Sequence, residues 1–264
     1  KRAFAAVKTA VPGLRRACTV TPNPQLEGSV DIWVPLTAAY DHRAAEARRA
    51  AGDEVWWYIC CGPWHPYCNW FIDYPATDAR VLFWQTFKYN VTGFLYYEVA
   101  MWRTNLITKP SADGTQMPPE DEEVRRAIAA GKRWPDVPWN TFTFSRYNGD
   151  GLLVYPGKNE TPLPSLRLEV IRDGIEDYDL LCSLRDARAA LMESPAAAKN
   201  RALISLAGQL LSVRPTVVRD LTHYTLDPIV IAREREAVAS ALLRVQRALA
   251  AQEASKSREG KKGK

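Results

Sequence analysis

Short apolar runs alternate with helical stretches along about the first 100 residues, and this order constrains the fold more than any other feature. The β-prone runs are 14–21, 29–36, 54–61 and 93–102. Helices are predicted at 77–90 and at 41–51, where Asp41 is placed to cap the first turn and Gly52 to end the last. Strands that alternate with helices predict a parallel sheet with crossover helices.

Side chains on these runs divide into two faces, as expected of strands with a period of two. The more apolar faces carry Val30, Ile32 and Val34; Val55, Trp57 and Ile59; and Leu95, Tyr97 and Val99. The faces with polar and aromatic groups carry Asp31, Trp33 and Pro35; Trp56, Tyr58 and Cys60; and Phe94, Tyr96 and Glu98. In a β/α barrel the first set contacts the helices and the second faces the lumen or mouth. A doubly wound sheet gives a similar pattern, so the alternation leaves both architectures open.

The second half of the chain is predicted to contain one tight turn followed by helices. The Asn148–Gly151 sequence NGDG lies between two β-prone runs and predicts a hairpin. Pro164 and Ser165 are typical of the start of a helix, which is predicted to follow them. The Ala-, Leu- and Arg-rich stretch 186–252 predicts further helices, with interruptions near Pro195, Pro215 and Pro228.

Chain length and strand count together predict part of a barrel. The chain has 264 residues, 47% of them hydrophobic, which is enough for a sizeable core. A complete (β/α)8 barrel needs eight strand–helix units, and only four barrel-like strands precede the predicted hairpin. The predicted fold is therefore α/β: the C-terminal half of a (β/α)8 TIM-type barrel at 1–185, a helical extension at 186–252, and a basic disordered tail at 253–264.

Several classes of protein and site are not indicated. The net charge of +5 comes largely from the last ten residues, SKSREGKKGK, so the charge does not point to nucleic acid as a partner. No apolar run approaches the roughly 20 residues that cross a bilayer, so no membrane partner is predicted. An odd count of 5 cysteines does not form a disulfide framework. A zinc site at Cys60, Cys61, Cys68 and His65 is disfavoured because vicinal thiols chelate one ion poorly, and no cofactor is expected.

Six segments, taken in order, resemble the catalytic domain of glycoside hydrolase family 123. They are VDIWVP, VWWYICCGP, NWFID, GFLYYEVAMW, GDGLLVYPG and SLRLEVIRDGIEDYDLL. The resemblance covers about residues 14–185, and its last two segments are long and unusual in composition.

The resemblance implies a retaining hydrolase of the β-N-acetylgalactosaminidase type on a (β/α)8 barrel. In this family the 2-acetamido oxygen of the sugar is thought to attack the anomeric carbon and form an oxazolinium ion. An adjacent Asp-Glu pair then orients the acetamido group and supplies the general acid and base. The implied partner is a carbohydrate that ends in N-acetylhexosamine.

No Asp-Glu pair of this chain is assigned a catalytic role. Asp53-Glu54 precedes a strand, so its side chains are expected at the bottom of a barrel, while Asp121-Glu122 and Glu176-Asp177 have helical contexts. The resemblance places the catalytic pair upstream, in an N-terminal half-barrel of the same protein. The alternative is a non-catalytic carbohydrate-binding or structural remnant of that barrel.

The substrate-binding candidates at the predicted mouth are Asp31, Trp33, Tyr58, Tyr96, Glu98, Trp102 and Asp150. Glu98 is the most informative of them, because an unpaired carboxylate near the end of an apolar strand must bind a sugar hydroxyl or a base such as Arg103 or Arg146. Trp102 is a candidate platform for the sugar ring, and Tyr58 a candidate donor to the acetamido oxygen.

Each candidate has a structural alternative. Asp31 can bond a neighbouring backbone N–H, Tyr58 can belong to the core, and Asp150 can serve the turn alone. Trp64 and His65 lie in the loop after the third strand, where an exposed loop position is the favoured interpretation. The charged residues of the helix after Ser165 are expected to form structural salt bridges; they are Arg167, Glu169, Arg172, Glu176 and Asp177.

Overall fold

The fold is a mixed α/β arrangement, about half helical, with small sheets. It is described by a computed structural model at residues 1–102, 122–137, 141–143 and 147–262. The helices are α1 (Arg2–Ala10), α2 (His42–Ala50), α3 (Ala76–Lys88), α4 (Glu122–Ala129), α5 (Leu166–Glu193), α6 (Arg201–Leu211) and α7 (Pro228–Lys262). The strands are β1 (Ala17–Cys18), β2 (Ile32–Trp33), β3 (Glu54–Val55), β4 (Trp57–Tyr58), β5 (Phe94–Leu95), β6 (Phe142–Thr143), β7 (Tyr147–Asn148), β8 (Val154–Pro156) and β9 (Pro162–Pro164).

The described chain forms two compact units. The first contains Lys1–Ala79 and Val91–Ile171, and the second contains Arg80–Asn90 and Arg172–Lys264. The first unit includes every strand, and the second is helical. The boundary predicted near residue 185 remains a prediction.

Strands β1 to β5 of the first unit pair in parallel, as the alternation of strands and helices predicts, whereas β6 and β7, and β8 and β9, pair antiparallel. Strand β2 lies between β1 and β3, and β4 pairs with β5. A parallel bridge between Leu36 and Tyr58 links the two sheets. The α/β class is therefore confirmed, whereas the described pairings do not show closure into a half-barrel.

The period-two pattern holds for the third β-prone run and fails for the fourth. Val55, Trp57 and Ile59 are at most 1% exposed, so the apolar face of that run is core. Tyr97 and Val99 were expected on a buried face, and that prediction is wrong because both are more than 40% exposed. Strand β5 ends at Leu95, and the carbonyl of Val99 instead accepts from the N–H groups of residues 153 and 154.

Local capping signals set the helix boundaries. The Asp41 carboxylate accepts a hydrogen bond from the Ala44 N–H at 2.9 Å, and Gly52 follows α2 with a φ of +90°. The Ser165 hydroxyl accepts from the Leu168 N–H at the start of α5. These boundaries confirm the predicted helix starts. Both starts could be predicted because each is capped by a side chain adjacent to the helix in sequence.

The predicted hairpin around NGDG is wrong in its pairing. Gly149 and Gly151 adopt φ values of +84° and +70°, as a tight turn requires. The strand before the turn, β7, pairs with β6, while the strand after it, β8, pairs with β9. The turn therefore joins two different β-ribbons, and Asp150 lies between Gly149 and Gly151.

The second unit is built around Asp177, which is fully buried on α5. Its carboxylate accepts from Arg80 at 2.6 Å, from the Trp84 indole N–H at 2.9 Å, and from Arg235 at 2.9 Å. Apolar side chains of α5, α6 and α7 form the surrounding core; among them are Leu181, Leu184, Leu191, Leu210, Ile231 and Val245. Asp177 therefore forms structural salt bridges, as the sequence predicted.

The C-terminal stretch differs from expectation. Helix α7 continues to Lys262, so 253–262 is helical where a disordered tail was predicted. Lys, Glu, Arg and Ala make up seven of the ten residues 253–262 and are good helix formers, so a helix that begins in the core propagates through this stretch. Among the described residues no helix has the length and apolarity to cross a bilayer.

We expect Asp177→Asn to lower the free energy of unfolding by about 2–3 kcal/mol. Removing one partner of a buried ion pair costs more than this, but Arg80 and Arg235 are partly exposed and recover some hydration. Glu176→Gln is the control, because its side chain is 54% exposed and should change stability by less than about 0.5 kcal/mol. Urea titration followed by circular dichroism measures both, and equal midpoints would contradict the role of Asp177.

Candidate functional site

The carboxyl ends of β4 and β5 meet at one edge of the first unit because the two strands are parallel. Cys60 and Cys61 follow β4, and Tyr96 and Tyr97 follow β5. Ligands of α/β proteins bind at the carboxyl ends of parallel strands, where the chain turns and exposes functional groups. We call this place the carboxyl edge, and the candidate site is built on it.

Asp150 connects the NGDG turn to the carboxyl edge. Its carboxylate accepts hydrogen bonds from the hydroxyl of Tyr97 at 3.0 Å and from that of Tyr96 at 3.4 Å. The Gly151 N–H donates to the Tyr96 hydroxyl at 2.8 Å. Tyr96 and Asp150 are both predicted site residues, and the structure brings them together.

Arg167 fixes the turn that presents Asp150. This buried guanidinium donates to the carbonyls of Trp70 and Leu152, and to that of Gly149 at 2.9 Å. Its sequence context predicted a salt bridge along α5, and that prediction is wrong because Arg167 bonds backbone oxygens instead. A long side chain near the start of α5 thereby holds the chain on both sides of Asp150.

Burial dominates the electrostatics of the cluster. Asp150 is 1% exposed, and this burial raises the pKa of its carboxyl, while the hydroxyls of Tyr97 and Tyr96 and the charge of Arg167 act in the opposite direction. Burial also raises the pKa of both tyrosines, followed by the nearby charge of Asp150. The hydroxyls are therefore protonated donors at neutral pH. Because Asp150 is enclosed, Tyr97 with 42% exposure is the member that faces solvent.

Aromatic rings pack against Tyr96 of this cluster, and another aromatic group lies in the loop after β4. The Trp70 ring stacks on Phe94 at 5.0 Å and contacts Tyr96 at 4.7 Å. Trp64, in the loop after β4, is 51% exposed and packs edge-on against Tyr147 at 5.5 Å. The exposed face of Trp64 is a surface on which a sugar ring can stack.

Tyr58 also belongs to the carboxyl edge, since it is the last residue of β4. It is half-buried, and burial raises the pKa of its hydroxyl, followed by the effects of Cys60 and Cys61. The predicted donor role for Tyr58 thus remains compatible with its position.

Asp31 and Trp33 lie away from the carboxyl edge. Asp31 comes just before β2 and accepts from the Arg16 guanidinium at 2.7 and 2.8 Å. Trp33 is fully buried, and its indole N–H donates at 2.8 Å to Asp53, which comes just before β3. Both side chains are engaged toward the amino ends of the strands, which favours structural roles over the predicted sugar contacts.

Glu98 and Trp102 form other contacts. Glu98 accepts from the N–H groups of Val99 at 2.8 Å and Ala100 at 3.0 Å, so its carboxylate caps its own chain. The suggested partners, Arg103 and Arg146, lie outside the described residues. The Trp102 indole N–H donates to the Val154 carbonyl at 2.7 Å. Its ring packs 5.3 Å from that of Trp134, which lines a cleft of about 440 Å³.

The described Asp-Glu pairs are occupied elsewhere. Asp53 accepts from Arg48 at 2.8 Å, and Glu54 accepts from the Trp56 indole at 2.8 Å and pairs with Arg15 at 2.7 Å. Asp121 lies outside the described residues. Within the described ranges, therefore, no Asp-Glu pair stands at the carboxyl edge. The same ranges contain no cluster of three or more His, Cys, Asp or Glu side chains suited to a metal ion.

Tyr97, Trp64 and Arg167 were not among the predicted site residues. The signal for Tyr97 is its place beside Tyr96 at the end of an apolar run, although the period-two rule assigned it to the buried face. The signal for Trp64 is a tryptophan in a Pro-rich loop after a strand. The contacts of Arg167 have no sequence signal, because its acceptors are backbone carbonyls distant in sequence.

The model of the glycoside hydrolase 123 catalytic domain matches residues 14–184, which is more than half of the chain. The chain belongs to glycoside hydrolase family 123. The resemblance noted in the sequence is thereby confirmed.

One solved structure similar to this chain is a family 123 glycoside hydrolase from Clostridium perfringens, described in connection with glycolipid glycan hydrolysis. It is 16% identical, with a TM-score of 0.47 over 88% of this chain and 34% of that one. The chain thus spans about a third of the length of that enzyme. No curated protein matches the sequence.

We expect Gly151→Ala to destabilise the fold by about 2–4 kcal/mol. A Cβ atom there meets the Tyr97 hydroxyl at 2.8 Å, in addition to the cost of a φ of +70°. Gly28→Ala is the matched control, because Gly28 has the same φ and open space around it, so we expect only about 1 kcal/mol. Thermal or urea unfolding compares the two, and equal losses would show that the Tyr97 contact contributes nothing.

The Arg16–Asp31 pair should make stability depend on acid pH. The hydrogen bonds from Arg16 lower the pKa of Asp31 to about 2, below its unfolded value of about 3.9. The stabilisation is therefore present above pH 4 and lost as the pH falls through about 2. We expect Asp31→Asn to be less stable than wild type at pH 5 and to lose less between pH 4 and 2. Thermal unfolding at several pH values measures this, and an equal loss of melting temperature between pH 4 and 2 in the two proteins would contradict the prediction.

Proposed function

We propose that this chain supplies the sugar-binding edge of a retaining family 123 glycoside hydrolase that removes terminal N-acetylhexosamine, with galactosamine favoured. The observation that carries the proposal is the carboxyl edge itself, where buried Asp150 holds the hydroxyls of Tyr96 and Tyr97. In this proposal the parallel strands are part of a (β/α)8 barrel whose mouth is this edge.

Pre-oriented tyrosine hydroxyls suit an acetamido group. The amide oxygen of N-acetylhexosamine must point at the anomeric carbon before it can attack, and a fixed donor reduces the entropy lost in reaching that geometry. Asp150 is a positioning residue in this scheme, since its own carboxylate is enclosed. Tyr58 is the proposed sugar-facing donor, and the exposed indole of Trp64 is the proposed platform. The hydroxyl of Tyr97 donates its one proton to Asp150, so toward the sugar it is proposed as an acceptor.

The proposed reaction is substrate-assisted. The acetamido oxygen forms a bond to the anomeric carbon while a general acid protonates the departing glycosidic oxygen, and water then opens the oxazolinium ion with retention. This requires an Asp-Glu pair, which is missing from the carboxyl edge within the described ranges. We propose that the pair lies in sequence outside these 264 residues.

The alternative is a carbohydrate-binding module without catalysis. The specific observation in its favour is that the described Asp-Glu side chains are engaged by Arg15, Arg48 and Trp56. Binding by this chain and hydrolysis by the full-length gene product separate the two functions.

We expect the full-length gene product to cleave a chromogenic β-N-acetylgalactosaminide. The matching glucosaminide should react more slowly and the plain galactoside not at all, because the galactoside lacks the internal nucleophile. Colour release measured on the three substrates tests this order. Equal rates on all three would contradict substrate assistance, and no turnover together with retained binding would favour the binding module.

We expect Trp64→Ala to weaken binding of N-acetylgalactosamine about tenfold, or about 1.4 kcal/mol, since it removes the proposed platform. Trp64→Phe keeps a ring and should retain most of the affinity. Isothermal titration calorimetry on this chain measures both variants. Wild-type affinity in Trp64→Ala would exclude Trp64 from the site without affecting the role of the tyrosines.

A further inference from the structure

Two adjacent thiols touch each other just after β4. The Sγ atoms of Cys60 and Cys61 are 3.6 Å apart. Neighbouring side chains of an extended strand point to opposite faces, so this contact means that the chain has turned. The Cys60 N–H donates to the Gly62 carbonyl at 2.8 Å, which closes the turn and keeps both thiols on one side.

A buried side chain fixes this turn. Asn69 is 1% exposed, and its amide donates to the carbonyls of Cys60 at 3.0 Å and Pro63 at 2.8 Å. The other atom of the amide, its oxygen, accepts from the Trp70 N–H at 2.6 Å. Because all these groups are satisfied, the relative position of the two thiols is set by the folded structure.

The pair differs from the third cysteine of the same segment. Cys60 and Cys61 are both free and half-buried, whereas Cys68 is 2% exposed. Burial, together with Cys60 and Asp150, raises the pKa of Cys61 to about 11, so this thiol is protonated at neutral pH. It is therefore suited to follow a first reaction at its neighbour rather than to react alone with a reagent in solution.

We propose that Cys60 and Cys61 are a modification site that closes reversibly to a vicinal disulfide by exchange with a disulfide oxidant such as oxidised glutathione. One protein thiolate attacks the oxidant, forms a mixed disulfide and releases one glutathione thiolate. The neighbouring sulfur, after losing its proton, attacks the mixed disulfide and releases the second glutathione. In total two protein thiols are oxidised, one disulfide is reduced, and both protons end on glutathione.

The geometry permits this closure at the cost of a small ring. The sulfur atoms must approach from 3.6 Å to about 2.0 Å, which side-chain rotation supplies. Adjacent Cα atoms are about 3.8 Å apart, which is closer than in most disulfides, so the ring is strained and a mild thiol reopens it. The product sits on the carboxyl edge, and Cys60 is two residues after Tyr58 in sequence.

The test is the mass of one peptide after oxidation of the reduced, folded chain with oxidised glutathione. Trypsin releases residues 50–80 as a single peptide that carries Cys60, Cys61 and Cys68. We expect this peptide to lose two hydrogens, about 2 Da, and to regain them with mild thiol. We expect Cys68→Ser to retain the loss, and Cys60→Ser and Cys61→Ser to abolish it.

Two further measurements keep the test decisive if a variant fails to fold. Alkylation and fragmentation of the wild-type peptide should place the alkyl group on Cys68 alone. In guanidinium a larger share of the peptide should stop at the glutathione mixed disulfide instead of closing, because the turn no longer holds the thiols together. A stable glutathione adduct on Cys60 or Cys61 of the folded chain, no reaction, a bridge to Cys68, or the same share of mixed disulfide in denaturant would each overturn the proposal.

Discussion

The hydrogen bonds around Asp150 are the interaction on which the carboxyl edge depends. A carboxylate that is 1% exposed is costly to desolvate unless its oxygens are bonded. Two tyrosine hydroxyls meet that need, and hydrogen bonds to a charged group contribute about 1.5–3 kcal/mol each. The same hydrogen bonds fix the orientation of the Tyr96 and Tyr97 rings after β5. The requirement to bond one buried carboxylate therefore determines where these two side chains point.

The sequence alone supports the parallel strands and most helix boundaries, and it fails where distant contacts decide. Asp41, Ser165 and the proline breaks act on neighbours in the chain, so the helices they bound were predictable. The alternation of side chains identified Tyr96 as a polar candidate, and the NGDG turn identified Asp150. It did not show that Asp31 lies at the amino end of its strand. A period of two indicates which face of a strand a side chain is on, but not where along the chain a short strand begins and ends.

The position of Asp150 illustrates the limit most clearly. NGDG predicts a tight turn, and the two glycines do adopt left-handed conformations. Its pairing was not predictable, because the turn is held by Arg167 from α5 and by backbone partners at 99–101. In this chain the turn therefore presents one carboxylate to the carboxyl edge and is not the tip of a hairpin.

Among the described tryptophans, three donate their indole N–H to a carboxylate: Trp33 to Asp53, Trp56 to Glu54 and Trp84 to Asp177. At such a position the tryptophan ring fills apolar space, and its N–H also donates a hydrogen bond to an acidic side chain. Phenylalanine of similar shape would fill much of the space and leave an acid short of a donor. Three of the 9 tryptophans thus have an electrostatic role, and aromatic residues at these three positions are not interchangeable.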